Sequence, residues 1–107
     1  MDFQEAIYTQ FAHSFEAQQS AFESLPPYIE HAAKVMFASI AEGNKVICCG
    51  NGTGSHLAHY FNTLMLDKME RERPGLPSIT LSGEGAALLS ISHNDSYHDV
   101  FSKQLTA

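Results

Sequence analysis

The residues whose types and spacing best suit ligand binding form one glycine-rich run, Gly50-Asn51-Gly52-Thr53-Gly54-Ser55. This run follows an apolar segment typical of a strand and precedes a segment with helical periodicity. A helix N-terminus offers unpaired backbone N–H groups and a positive dipole end, and glycine lets a ligand come close to the backbone. The run therefore predicts a site for a small phosphorylated ligand. The alternative is a glycine turn that serves only tight strand–helix packing.

Two common cofactor classes do not fit this run. It lacks the Lys-Ser/Thr ending of the loop that binds nucleoside triphosphates. It also lacks the third glycine of the dinucleotide motif, and no acidic residue ends the next predicted strand. We therefore expect no cofactor.

Histidine and cysteine give weaker signals. His56 and His59 are three residues apart on a predicted helix, so they share a face that could hold a divalent metal. No Asp, Glu or Cys follows either of them at the fourth position, so we expect a polar cleft lining or a subunit contact and assign no metal site. Cys48 and Cys49 are adjacent, which matches neither zinc nor redox spacing and predicts two small buried side chains.

The elements that position the run follow from periodicity and from helix-breaking residues. An amphipathic helix is predicted over 2–24, with apolar residues at Phe3, Ile7, Phe11, Phe15 and Phe22. The remaining predicted elements are helices over 27–42, 55–71 and 86–91, a last helix from about 97, and strands over 45–49 and 78–81.

A strand, a glycine loop, a helix and a second strand predict an α/β fold with a parallel sheet. Two buried parallel strands are too few for an independently stable sheet, so we expect further strands from a longer protein or from other chains. The domain prediction is one partial domain over 1–107. Within it, 1–42 form an N-terminal helical hairpin and 43–107 begin the α/β sheet.

Composition excludes several function classes. The 107 residues carry a formal charge of -6 without a cluster of Lys and Arg, which opposes direct nucleic-acid binding. No run of apolar residues is long enough to cross a membrane, and the N-terminus has no signal-peptide pattern. We therefore expect a cytoplasmic protein that binds neither nucleic acid nor membrane.

The sequence also resembles a known family. The segments 45–52 and 72–81 look like the sugar-isomerase (SIS) domain in its phosphoheptose-isomerase branch. Within that branch the chain is most similar to the DnaA initiator-associating proteins, which are isomerase-like paralogues. The motifs that carry this second resemblance are Leu25-Pro26, Gly43-Asn44-Lys45, Cys48-Cys49-Gly50-Asn51-Gly52-Thr53, Glu72-Arg73-Pro74, His98-Asp99 and Lys103-Gln104.

The resemblance implies the N-terminal half of a doubly wound parallel sheet, preceded by two helices that bundle between the subunits of a homotetramer. It implies a sugar-phosphate site formed by Asn51, Gly52, Thr53, Ser55 and Asp95. Gly54 stands where the family usually has serine, and Ser55 follows one residue later.

The same resemblance bears on catalysis. Phosphoheptose isomerases carry a metal-binding His and, four residues on, a Glu on the helix after the loop. An ungapped match puts Tyr60 and Leu64 at these two positions. Because an apolar side chain cannot accept a proton, this chain is predicted to have no catalytic residue.

Three functions follow in order of preference. The first is a non-catalytic regulator that binds the replication initiator DnaA and promotes its assembly at the origin. The second is a sedoheptulose 7-phosphate isomerase of lipopolysaccharide heptose synthesis, and the third is a sugar-phosphate sensor.

Overall fold

The computed structural model describes residues 2–83 and 85–107, which form two compact units that divide between Phe37 and Ala38. The first unit is helical. Helix α1 (Phe3–Ser24) begins at Asp2, whose carboxylate accepts hydrogen bonds from the backbone N–H groups of Gln4 and Glu5 at 2.9 and 3.2 Å. This contact is a typical N-terminal cap.

Helix α2 (Pro26–Ala41) follows α1 after one residue. Leu25 itself has helical backbone angles, and its carbonyl accepts the N–H of Ile29 at 3.0 Å. Proline is compatible with this junction because it lacks an N–H and fits the first turn of a helix. The helical path thus continues through Leu25, and α1 and α2 make no tertiary contact within the described residues. The hairpin predicted for 1–42 is therefore not seen.

The apolar side chains of the two helices are exposed to solvent. Neither helix contains a buried residue, and Phe3, Phe11 and Phe15 are 75%, 60% and 66% exposed. The Phe11 and Phe15 rings lie one turn apart with centroids separated by 6.5 Å. This unit consequently presents a long aromatic stripe on α1.

The second unit contains the predicted parallel strand pair. Strands β1 (Val46–Cys48) and β2 (Ser78–Thr80) are parallel, in a register that pairs Val46 with Ser78 and Cys48 with Thr80. Helix α3 (Gly54–Leu66) packs against both strands. This order of elements confirms the predicted α/β class.

Only one face of the strand pair is covered. Side chains alternate between faces along a strand. Ser78 is buried towards α3, whereas Ile47 and Ile79 are 40% and 45% exposed on the opposite face. The prediction of buried strands was wrong for this face, because no element in the described part of the chain packs there. Cys49, also predicted to be buried, is exposed, and neither cysteine forms a disulfide.

Helix α3 ends earlier than its periodicity predicted. The sequence indicated a helix to Arg71, but the last helical residue is Leu66. The next residue, Asp67, is extended with ψ 172°, and Glu70 is left-handed with φ 62°, so neither can continue the α-helix. The guanidinium of Arg73 turns back and donates to the carbonyls of Leu64 and Met65 at 2.5 and 3.1 Å. These contacts satisfy carbonyls that a helix C-terminus leaves without partners.

The chain continues through α4 (Ala86–Asn94), a short 3₁₀ helix (Tyr97–Asp99) and α5 (Val100–Thr106). Val100 is buried at 1% exposure. The Gln104 side chain pairs with the backbone of Ser82, donating to its carbonyl at 2.9 Å and accepting its N–H at 2.7 Å. The segment before α4 is thereby tied to α5. No helix among the described residues is long and apolar enough to cross a bilayer.

Candidate functional site

The glycine loop lies between β1 and α3, as the sequence predicted. Three backbone hydrogen bonds form within the loop and the start of α3. The N–H groups of Gly54, Ser55 and His56 donate to the carbonyls three residues before them at 2.8, 3.0 and 3.1 Å. These amides are therefore occupied. The N–H groups of residues 51–53 have no hydrogen-bond partner within the described chain and remain available to a ligand.

The glycines of the loop have different roles. A Cβ on Gly50 would lie 2.2 Å from the Gly54 carbonyl oxygen, so this position admits no side chain. A Cβ on Gly52 would meet open space, but the residue has φ +52°, a conformation that side chains disfavour. Gly50 thus allows close packing against Gly54, and Gly52 allows the left-handed backbone conformation at the open tip of the loop.

Ser55 lies inside the fold. Its side chain is 1% exposed, and its hydroxyl donates to the Gly52 carbonyl at 2.7 Å. Gly83 packs against it, because a Cβ there would lie 2.6 Å from the Ser55 Cβ and 2.7 Å from the Gly50 oxygen. Ser55 therefore stabilises the loop through its hydrogen bond to Gly52.

Asn51 is held by a residue that sequence reasoning missed. The Tyr97 hydroxyl donates to Asn51 Oδ1 at 2.9 Å across a sequence separation of 46 residues. Only the tertiary fold brings these residues together, and the one available signal was a tyrosine shortly after Asn94-Asp95. The structure therefore places the loop beside the 3₁₀ helix.

Asp95 lies two residues before Tyr97 and ends α4. Its carboxylate pairs with the Lys103 ammonium and lines an open depression of about 270 Å³ with Asp99, Ser102 and Thr106. No hydrogen bond joins it to the glycine loop among the described residues. The structure thus brings Asn51, Gly52, Thr53 and Ser55 together, with Asp95 on a neighbouring surface.

The outward face of α3 carries exposed polar and aromatic side chains. His56, His59 and Tyr60 are all exposed, whereas the Leu64 side chain is partly buried. Within residues 2–83 and 85–107, no group of three or more His, Cys, Asp or Glu side chains is arranged to hold a metal ion. The arrangement on this face can supply hydrogen bonds and ring contacts.

Comparison with known proteins places this geometry in a family. A family model described as SIS domain matches residues 10–107, and the chain belongs to the SIS-domain family. It is 39% identical over 107 residues to a phosphoheptose isomerase of Chromohalobacter salexigens, covering 100% of this chain and 54% of the relative. It is 38% identical over 104 residues to the DnaA initiator-associating protein DiaA of Escherichia coli, covering 97% and 53%.

Solved structures agree with the sequence relatives. A phosphoheptose isomerase from Francisella tularensis matches with a TM-score of 0.91 and 34% identity, covering 100% of this chain and 56% of that chain. Phosphoheptose isomerase GmhA from Neisseria gonorrhoeae matches with a TM-score of 0.87 and 28% identity, covering 98% and 54%. The chain thus spans about half the length of the relatives it matches, which fits the predicted N-terminal half.

Proposed function

We propose that this chain belongs to a SIS-fold regulator that associates with the replication initiator DnaA and does not isomerise sugars. The observation that carries the proposal is the pair of side chains on α3. The resemblance assigns a metal-binding His and a Glu to the positions of Tyr60 and Leu64. The similarity to DiaA, a DnaA initiator-associating protein, suggests the partner.

Sugar isomerisation needs a base. Converting an aldose to a ketose moves a proton between neighbouring carbons, so a group with a titratable oxygen or nitrogen must accept it. Leu64 has no such group. His56 and His59 lie on the same helix, but two ligands make a weak metal site. The proposal therefore assigns this face of α3 to contacts and assigns no catalytic step to it.

The proposed regulator keeps a sugar-phosphate site at the glycine loop. Asn51, Gly52 and Thr53 supply backbone N–H groups without partners among the described residues. Ser55 acts indirectly, because its hydroxyl already holds the Gly52 carbonyl. Asp95 contributes to the sugar end in this proposal. A ligand here would signal metabolic state to the regulator without being converted.

To test this proposal, the full-length protein that contains this chain is immobilised through a terminal tag, and retention of purified DnaA is measured. We expect the immobilised protein to retain more DnaA than a bare-resin control. When DnaA is added to origin DNA, we also expect more DnaA molecules to bind the DNA with the regulator present than without it. Equal retention by the resin and the immobilised protein would refute the association. The cytoplasmic location predicted from the sequence suits this partner and stays a prediction.

The isomerase alternative is favoured by one specific observation, the 39% identity over the whole chain to a phosphoheptose isomerase. Incubation of the full-length protein with sedoheptulose 7-phosphate, with and without Zn²⁺, separates the two functions. We expect no conversion above the protein-free control. Turnover that disappears in His59→Ala would establish the enzyme and reject the non-catalytic regulator.

A further inference from the structure

The Tyr97–Asn51 contact determines which atoms of the Asn51 carboxamide are available. A carboxamide has one accepting oxygen and one amino group that donates twice. The Tyr97 hydroxyl donates to the oxygen at 2.9 Å, so the oxygen is engaged and the amino group is left to face other partners. Tyr97 thereby fixes the orientation of the group as well as its position.

The loop around Asn51 is also composed of donors. The backbone N–H groups of residues 51–53 have no acceptor within the described chain, whereas the carbonyls of Asn51, Gly52 and Thr53 already accept the amides of residues 54–56. With the Asn51 oxygen engaged, the accessible groups are predominantly hydrogen-bond donors. Such a set matches the oxygens of a phosphate monoester and mismatches a cation.

Other contacts also hold α5 in place. Gln104 independently ties α5 to the Ser82 backbone through two hydrogen bonds, and Val100 is buried in the same region. Tyr97 is half exposed, and its hydroxyl makes its hydrogen bond to a side chain of the loop. This geometry leaves the Tyr97 hydroxyl free to act on the loop, through Asn51.

We propose that Tyr97 is a positioning residue that presents the Asn51 amino group to a phosphorylated ligand. This inference rests on the sugar-phosphate site of the proposed function. It adds a residue from the 3₁₀ helix that makes the loop selective for oxyanions over uncharged or donor groups.

The experiment titrates the ¹⁵N-labelled full-length protein with inorganic phosphate and with sedoheptulose 7-phosphate. It follows the backbone amides of residues 51–53 and the Asn51 side-chain amino group by nuclear magnetic resonance. Tyr97→Phe removes only the hydroxyl. Tyr28→Phe is the matched control, because Tyr28 is exposed and its hydroxyl has no hydrogen-bond partner among the described residues.

A second variant separates ligand presentation from structure. Asn51→Asp keeps an oxygen that can accept the Tyr97 hydroxyl but replaces the donor with a negative charge. We expect Tyr97→Phe to weaken phosphate binding by about three- to tenfold, the range of one hydrogen bond. We expect Asn51→Asp to lose binding, and Tyr28→Phe to bind like the parent protein.

Each other outcome overturns the inference. Unchanged binding in Tyr97→Phe would show that the hydroxyl does not present Asn51, and normal phosphate binding in Asn51→Asp would show that the amino group is not a donor to the ligand. If the parent protein binds neither probe, the inference fails, while retention of DnaA by the same preparation would leave the proposed regulator standing.

Discussion

Gly50 is the residue at which the loop is least tolerant of change. A methyl group at Gly50 would overlap the Gly54 carbonyl and lie 2.8 Å from the Ser55 nitrogen, so the backbone would have to shift. We expect Gly50→Ala to lower the free energy of unfolding of the full-length protein by about 1–3 kcal/mol, measured by urea unfolding.

Gly54 provides the matched control for this substitution. A Cβ there meets nothing within 4 Å, and the residue is the first of α3. Gly54→Ala should leave stability unchanged or raise it by up to about 1 kcal/mol, because alanine favours helix. Equal losses in the two variants would contradict the packing role of Gly50.

The sequence predicted the position of the loop residues better than the direction of their side chains. Asn51, Gly52 and Thr53 lie between strand and helix because local glycine spacing and periodicity determine that placement. Ser55 turns inward, and Asn51 meets Tyr97, because distant segments pack around them. Such contacts depend on tertiary structure, about which spacing along the chain carries no information.

The Arg73 side chain caps the C-terminus of α3. Its guanidinium also reaches the Pro74 carbonyl, so three backbone oxygens share one partly buried cation. We expect Arg73→Ala to lower the free energy of unfolding by about 1.5–3 kcal/mol, since hydrogen bonds from a charged donor are lost. Amide hydrogen exchange should also accelerate in the last turn of α3.

The control variant is Arg71→Ala. Arg71 is exposed, and its side chain makes no hydrogen bond or ion pair within the described residues, so its loss should change stability by less than about 0.5 kcal/mol. Slower exchange in Arg73→Ala, or equal effects of the two substitutions, would refute the capping role.

Element types were more predictable than element ends. The two strands, α3 and the last helix were all placed from apolar periodicity, and the structure confirms them. The predicted end of α3 was five residues too late, because its amphipathic pattern continues into a segment where Glu70 is left-handed and Arg73 folds back. Helix α4 instead continues to Asn94, three residues beyond its predicted end.

The exposed aromatic stripe of α1 bears on how copies of the protein associate. The stripe residues Phe3, Phe11 and Phe15, together with the apolar Ile7 between them, are spaced at multiples of four residues and remain exposed, which favours association with apolar side chains of other subunits. We expect a homo-oligomer, with the tetramer that the family resemblance implies. Phe11→Asp should shift the mass measured by light scattering towards the monomer at micromolar concentration.

Thr9→Asp is the control for charge on the same helix. Thr9 lies on the opposite face of α1 from Phe11, so the same carboxylate should leave the mass unchanged. A parent protein that is monomeric at all micromolar concentrations, or equal dissociation by both variants, would rule out association through the stripe.

The parallel register of β1 and β2 also has a consequence for folding kinetics. Val46 and Ser78 are separated by the whole of α3 and the connection after it, so pairing them closes a long loop before any ladder hydrogen bond forms. Neither strand pairs locally, since parallel strands cannot be joined by a tight turn. Formation of α3 shortens that loop and supplies the surface on which the strands dock. In the full-length protein, pairing of β1 with β2 should therefore be limited by the encounter between the strands on a formed helix, and substitutions that weaken α3 should slow folding more than they speed unfolding.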